Sequence, residues 1–152
     1  MKIQTLSTDY CLKFTILGEP ASKANSRKAV FWGKRPAFIK SDKALNYSES
    51  FAAQCPTLET LLECDVQLVM TIFYASRRPD LDESLILDLM QGKIYRNDRQ
   101  VKLRTTAWGL SPLNPRMNLE IRPYEVPAEL LEIPNKKKGK AGNTAKLQSG
   151  KP

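Results

Sequence analysis

The sequence predicts an α+β domain with a four-stranded mixed sheet, two helices and a disordered basic C-terminal tail. Four segments have the β-branched and aromatic residues typical of strands, and two amphipathic segments each follow a polar capping residue. The order strand, basic loop, helix, strand, helix, strand, strand is typical of an α+β fold. With 152 residues, 41% of them hydrophobic, the chain can bury one core. We assign residues 1–134 to the domain and residues 135–152 to the tail.

The first half of the chain is predicted to contain a strand, a long loop and a helix. Residues 11–17 alternate well enough to form the first strand. Residues 18–40 are rich in Pro, Ser, Asn and basic residues, and a loop of this length is usually functional or disordered. Ser41 can cap a helix, and the apolar spacing after it predicts that this helix ends before Pro56.

The second half is predicted to contain three strands and a helix. Residues 66–75 are β-branched and apolar on both faces, which predicts a central strand. Asp82 can cap a second helix, and Gly92 stands where such a helix ends. Strands are also predicted at residues 101–108 and 117–122, joined by a turn rich in Gly, Pro and Asn.

The residue types that are missing exclude several kinds of chemistry. The chain has no histidine, which rules out a Ser-His-Asp triad and a His-ligated zinc. Cys11, Cys55 and Cys64 show no Cys-x-x-Cys spacing and are expected to be reduced, buried thiols of a cytoplasmic protein. There is no glycine-rich phosphate loop and no apolar run of membrane length, so we expect neither a nucleotide cofactor nor a membrane partner. Carboxylates, lysines and a metal remain for catalysis.

Basic residues are concentrated in two parts of the chain. The net charge is +8, and the tail after Pro134 holds six lysines and no acidic residue. Such a tail is either a solubilising appendage or a non-specific phosphate-binding arm, and the sequence leaves both open. The loop at residues 18–40 interleaves further bases with aromatic residues. We expect Trp32 and Trp108 in the core or at an interface rather than as base-stacking platforms.

Two aspartates at positions i and i+2 form the main candidate site. Asp80 and Asp82 project to the same side of an extended segment, while Leu81 points the other way, toward the core. Paired carboxylates of this kind bind a hard cation or serve as a turn and a helix cap. Because Arg77 and Arg78 lie beside them, a phosphodiester is the natural substrate for such a cation.

Four segments of the sequence resemble motifs of the RusA-type Holliday-junction resolvases, a family common in phages and prophages. The resemblance extends over about residues 14–122 and rests on motifs that occur in the family's order. The four matching segments are Gly18-Glu19-Pro20 with the basic residues that follow, Pro79 to Asp82, Leu87 to Gly92, and Tyr95 to Val101. Two features depart from the family: Asn97 replaces the first of two paired acids, and the segment after Asp82 is about two residues shorter and lacks the family's lysine.

The resemblance implies a homodimeric endodeoxyribonuclease of RusA-like fold that cuts four-way junctions or other branched DNA. It implies Mg²⁺ as cofactor, with Mn²⁺ as a substitute, and a location in the cytoplasm of a bacterial or phage-infected cell. The residues that correspond to the family's catalytic and metal-binding positions are Asp80, Asp82 and Asp98. Candidate supporting residues are Glu83, Asp88, Lys93 and Lys102, of which the two lysines could replace the missing one. Candidate DNA-binding residues are Lys23, Arg27, Lys28, Lys34, Arg35, Lys40, Arg77, Arg78 and Arg96.

Two alternative functions remain at this point. The shortened helix and the missing lysine also suit a junction- or single-strand-DNA-binding protein that has lost catalysis. A nuclease of the PD-(D/E)xK type fits less well, because no acid-x-Lys pattern follows on a strand: Asp98-Arg99-Gln100 interrupts it.

Overall fold

The computed structural model describes residues 7–20, 22, 27–77 and 81–134. The described part consists of a strand, a β-hairpin, a helix, a strand, a second helix and two final strands. Their bounds are β1 (Leu12–Leu17), β2 (Arg27–Trp32), β3 (Arg35–Lys40), α1 (Asp42–Gln54), β4 (Val66–Tyr74), α2 (Glu83–Met90), β5 (Val101–Leu110) and β6 (Arg116–Pro123). The predicted α+β class and both predicted helices are confirmed.

Four strands form one mixed sheet in the order β1-β6-β4-β5. β4 pairs parallel with β5 and antiparallel with β6, and β1 pairs antiparallel with β6. As predicted, β4 is central, and alternate residues from Val66 to Tyr74 are buried while those between them are partly exposed. The apolar residues on both faces of this strand therefore reflect its place between two neighbours.

The core lies between the two helices and one face of this sheet. Buried residues of α1 and α2 form a single cluster with the buried residues of β1, β4 and β6. Leu81 packs against this cluster, as the alternation around the two aspartates predicted. No helix in the described part of the chain is long and apolar enough to span a membrane.

Both helices begin at a residue that can cap a helix and end close to a residue that stops one. The Ser41 hydroxyl accepts the N–H of Ala44 at 3.1 Å, and α1 ends at Gln54, two residues before Pro56. α2 ends at Met90, where a glycine stops the helix: Gly92 follows the C-cap residue Gln91 and has a φ of 83°. Glycine adopts this left-handed conformation without the strain that a side chain would cause.

The predicted loop at residues 18–40 contains a β-hairpin, so that prediction was wrong for its second half. β2 and β3 pair antiparallel, from Arg27 opposite Lys40 to Trp32 opposite Arg35, and form a sheet of their own. Gly33 has a φ of 66° at the first of the two turn residues, as a type II′ turn requires. Because most of both faces is exposed, the strands lack the apolar–polar alternation that identifies half-buried strands.

Three side chains are exposed: Cys11, which was expected to be buried, and two tryptophans, which were expected in the core or at an interface. Trp32 and Trp108 are 72% and 48% exposed, so neither belongs to the core. Cys11 is also exposed, whereas Cys55 is buried and Cys64 is partly buried, and all three thiols are free. Burial raises the pKa of Cys55 to about 11 and also raises the pKa of Cys64. These two thiols therefore stay protonated, and unreactive, at neutral pH.

Candidate functional site

A cavity of about 340 Å³ lies between α2 and the root of the β2–β3 hairpin. Asp82 and Asp88 line it on the side of α2, and Arg27 and Lys40 line it on the side of the hairpin. These two basic residues are paired across the open end of the hairpin. The structure thus brings two carboxylates and two cations to one cavity.

Asp82 is both a cavity residue and the N-cap of α2. Its Oδ1 atom accepts the N–H of Leu85 at 3.3 Å, and its side chain is partly exposed. The preceding residue, Leu81, forms an isolated antiparallel bridge with Ser22, which fits the extended backbone predicted for this segment. A carboxylate has about four lone-pair sites, so capping leaves Asp82 with further capacity to bind a ligand.

Asp88 lies near the C-terminal end of α2, where the helix dipole disfavours a negative charge. Arg27 and Lys40 line the same cavity, so two positive charges lie on its opposite wall. Both come from a hairpin that is distant in sequence, so no local pattern could have indicated that they share a cavity with Asp88.

Glu83, a candidate supporting residue, is directed toward β5. Its Oε1 accepts the Thr106 hydroxyl at 2.9 Å, and its Oε2 lies 3.6 Å from Nη1 of Arg104. A second cavity, also of about 340 Å³, is lined by Asp82, Glu83 and Arg104 among others. Arg104 is therefore a cation beside Asp82 that the sequence analysis missed. Its placement follows from the register of β5, which sets Arg104 opposite the buried Leu68.

Asp98 lies in a short 3₁₀ turn, Asp98–Gln100, just before β5. Its N–H donates to Oε1 of Gln91, the C-cap of α2, at 3.1 Å. Asp82 caps the opposite end of this eight-residue helix, which spans about 12 Å at 1.5 Å per residue. The structure therefore places Asp82 and Asp98 at the two ends of α2, with Asp88 between them along the chain.

Gln100 anchors the turn that carries Asp98. Its Oε1 accepts the N–H groups of Arg96 at 3.0 Å and Asn97 at 2.9 Å. Its Nε2 donates to the carbonyls of Leu62 at 2.7 Å and Cys64 at 2.9 Å. Four hydrogen bonds from one side chain make Gln100 a positioning residue for Asp98.

Asn97, which departs from the family's paired acids, also has a structural role. Its Oδ1 accepts the N–H of Arg99 at 2.9 Å, and together with Gln100 it completes a capping box around the turn. An amide in this position caps the turn without adding another negative charge beside Asp98.

Tyr95 links the Asp98 turn to the C-terminal end of α2. Its hydroxyl donates to the carbonyl of Leu87 at 2.6 Å. That carbonyl has no helical donor because the N–H of Gln91 bonds to the carbonyl of Asp88 instead. Burial, and then the charges of Asp98 and Asp88, raise the pKa of Tyr95. Both carboxylates therefore lie near one buried phenol.

Tyr95→Phe should lower the free energy of unfolding by about 1–3 kcal/mol, because it leaves a buried carbonyl without a donor. Tyr47→Phe is the matched control: the Tyr47 hydroxyl is buried and has no hydrogen-bond partner within the described residues, so its removal should cost nothing. Urea denaturation of both variants measures the difference. Equal destabilisation of the two would contradict a capping role for Tyr95.

The two lysines proposed as substitutes for the family's lysine lie elsewhere. Lys93 donates from Nζ to the carbonyl of Ala52 at 2.7 Å, in the last turn of α1. Lys102 is exposed and lies at an irregularity in the β4–β5 register. Neither lines the cavities that contain Asp82. Arg27, Lys40 and Arg104 are the cations found there.

The remaining candidate DNA-binding residues are dispersed over the surface. Lys28 forms an ion pair with Asp42 at 3.0 Å, and Arg96 forms one with Glu63 at 2.7 Å. Three others are exposed: Lys34, Arg35 and Arg77. Lys23, Arg78 and Asp80, together with the tail at residues 135–152, lie outside the described residues.

A larger cavity of about 420 Å³ lies on the open face of the sheet, away from the helices. The one carboxylate among its lining residues is Glu120. Hydrogen bonding by Arg122, and to a smaller extent by Cys11, lowers the pKa of Glu120. Since this carboxylate is already paired, the cavity offers no comparable site for a cation.

The donor chemistry beside α2 fits Mg²⁺, which binds through one or two carboxylates and keeps several waters. Asp82 and Asp88 supply two carboxylates to one cavity. Among the residues that the structure describes, no three acidic, cysteine or histidine side chains are grouped closely enough to hold a metal. Because Asp80 is not among them, the predicted set of Asp80, Asp82 and Asp98 stays a prediction.

Comparison with known proteins does not assign a family. No protein-family model matches the sequence, and no curated protein is significantly similar to it. The similarity to RusA-type resolvases therefore rests on the motifs quoted above, and the function has to be argued from the site.

Proposed function

We propose that this protein is a Mg²⁺-dependent, structure-specific endodeoxyribonuclease that cuts four-way junctions or other branched DNA. The observation that carries the proposal is the cavity in which Asp82 and Asp88 meet Arg27 and Lys40. Carboxylates bind hard cations, and guanidinium and ammonium groups bind phosphate. A cavity with both kinds of group suits a phosphodiester whose hydrolysis is assisted by a metal.

In the proposed site, the acidic residues of the cavity bind the metal and the basic residues bind the phosphate. Asp82 and Asp88 would hold Mg²⁺ on the side of α2, and Asp80 and Asp98 are the further acids that the family resemblance implies. When bound, Mg²⁺ supplies a nucleophile by lowering the pKa of a bound water, and it stabilises charge on the phosphate and the leaving oxygen.

The cations of the site bind and orient the substrate. Arg27 and Lys40 contact phosphate oxygens from the hairpin side and so fix the backbone against the carboxylates. Arg104 offsets the charge of Glu83 and adds positive charge beside Asp82. In this proposal, these three residues supply the positive charge that a helix lysine supplies in the family.

A cleavage assay on a synthetic four-way junction tests the proposal. We expect paired nicks near the branch point with Mg²⁺ or Mn²⁺, no cleavage in EDTA, and far less cleavage of a linear duplex of matching sequence. Protein that binds the junction tightly and cuts neither substrate in either metal would refute the nuclease function.

A second candidate function is junction or single-strand DNA binding without catalysis. It is favoured by the lack of a three-carboxylate group within the described residues and by the absence of a lysine from α2. Under this hypothesis the acids of the cavity serve as caps and as partners for the hairpin, and Mg²⁺ leaves the bound DNA intact.

We further propose that the protein is a homodimer, because symmetric cutting of opposite strands needs two sites. β5 is an edge strand of the sheet and exposes Leu103, Trp108 and Leu110. Such an edge is normally covered. Light scattering at micromolar concentration should give twice the monomer mass, and Trp108→Glu should reduce it to the monomer.

The matched control for the dimer is Ile133→Glu, which adds the same charge at an exposed apolar residue outside β5. It should leave the dimer intact. A monomer mass for the unmodified protein, both alone and with junction DNA, would contradict the proposal.

A further inference from the structure

Three aromatic side chains of the β2–β3 hairpin are mostly exposed to solvent. Phe31, Trp32 and Phe38 are 74%, 72% and 70% exposed. The hairpin is a sheet of its own, and its strands form no hydrogen-bonded pairing with the main sheet. Clusters of exposed apolar groups mark binding surfaces, because aromatic side chains are strongly stabilised by burial.

The strand register assigns two of these rings to one face. Directly opposed residues of an antiparallel pair lie on the same face, and successive residues alternate between faces. Phe31 and Phe38 therefore share a face with the Arg27–Lys40 pair, whereas Trp32 lies on the other. Phe31 and Phe38 are diagonal neighbours, with Cα atoms about 7–8 Å apart.

This aromatic face is continuous with the candidate active site. Arg27 and Lys40 stand at its root, and both line the cavity of Asp82 and Asp88. A ligand that covers Phe31 and extends along the face toward the root of the hairpin would therefore reach that cavity.

The charge of the hairpin indicates what kind of ligand it binds. All of its charged residues are basic: Arg27, Lys28, Lys34, Arg35 and Lys40. Single-stranded nucleic acid offers flat bases that stack on aromatic rings and phosphates that pair with lysine and arginine. Duplex DNA conceals its base faces within the helix and cannot use the rings in this way. An anionic membrane surface would also attract such a face, but it would gain nothing from the adjoining cavity.

We propose that the Phe31–Phe38 face of the hairpin is a stacking platform for unpaired bases of the DNA substrate. The platform holds a single strand at the branch point and directs its backbone past Arg27 and Lys40 into the cavity. The direction into the cavity rests on the proposed nuclease function, whereas the stacking itself requires no cleavage.

The test measures the binding of a short, labelled oligothymidylate by fluorescence anisotropy in EDTA, with the full chain. Phe31→Leu and Phe38→Leu keep an apolar side chain but remove the ring. Each should weaken binding about 5- to 150-fold, the range for the loss of one stacked base. Trp32→Leu is the matched control, because it removes an equally exposed ring from the opposite face. It should change the affinity by less than about twofold, and duplex binding should be unaffected by all three.

The outcomes separate the competing possibilities. Phenylalanine variants that are folded by circular dichroism and bind oligothymidylate normally would overturn the platform. Loss of binding to phosphatidylserine vesicles without loss of oligothymidylate binding would assign the face to a membrane instead. A protein that binds oligothymidylate through both rings but cuts no branched DNA would support the platform and refute the nuclease.

Discussion

Asp82→Asn should reduce Mg²⁺-dependent cleavage of a four-way junction by about 100-fold or more, while the protein stays folded. Asparagine caps a helix as well as aspartate does, so α2 keeps the hydrogen bond to the N–H of Leu85. What the substitution removes is the negative charge that would hold a metal at the cavity. Junction binding in EDTA should survive or tighten, because one charge that repels the DNA phosphates is lost.

Substitutions at the other acids define the extent of the site. Asp88→Asn should behave like Asp82→Asn, because both residues line the cavity that would hold the metal. Asp80→Asn and Asp98→Asn test the further acids that the family resemblance implies. Asp98 lies at the opposite end of α2 from Asp82, so its substitution should have the smaller effect. A double substitution should cost little more than a single one, because residues that hold one metal act as a unit. Near-normal cleavage by folded Asp82→Asn protein would mean that this residue is only a cap.

Gln100→Glu should lower the free energy of unfolding by about 2–4 kcal/mol. The new carboxylate can still accept the N–H groups of Arg96 and Asn97, but it cannot donate to the carbonyls of Leu62 and Cys64. Each carbonyl then faces an oxygen instead of an N–H, and an unsatisfied buried acceptor costs about 1–3 kcal/mol. Urea denaturation measures the loss.

Gln91→Glu is the matched control for Gln100→Glu. The Gln91 side chain bonds to the N–H of Asp98 through its oxygen, which glutamate keeps. We expect a change within about 0.5 kcal/mol, as for surface substitutions that remove no buried contact. If both variants lost the same stability, the loss would come from the added charge and Gln100 would not anchor the turn.

Most of the sheet and both helices could be predicted because their signals are local. A capping Ser41 or Asp82, a terminating Gly92 and the alternation of β4 each act over a few residues. The β2–β3 hairpin could not be predicted in this way. Most side chains on both faces of its strands are exposed to solvent. Its sequence therefore lacks the alternation of apolar and polar residues that marks a half-buried strand.

Only those residues of the candidate site that lie within a recognisable local motif could be predicted from the sequence. Asp82 and Asp98 are evident from motif spacing, and the structure assigns each a defined place at one end of α2. The placement of Arg104 depends on the register of β5 against β4. The presence of Arg27 and Lys40 in the cavity of Asp88 depends on where the root of the hairpin meets α2. These relationships connect residues far apart in sequence, and no single-segment pattern contains them.

The β2–β3 hairpin forms a sheet of its own, and this has a consequence for the proposed stacking platform. A two-stranded hairpin is only marginally stable in water, and the ion pair between Lys28 and Asp42 near its root is exposed and adds little to its stability. Its amide hydrogens should therefore exchange with solvent through local openings that leave β4 closed. If oligothymidylate binds the proposed platform, part of the binding free energy offsets the cost of keeping the hairpin closed. Binding should then slow amide exchange in residues 27–40 without moving the core.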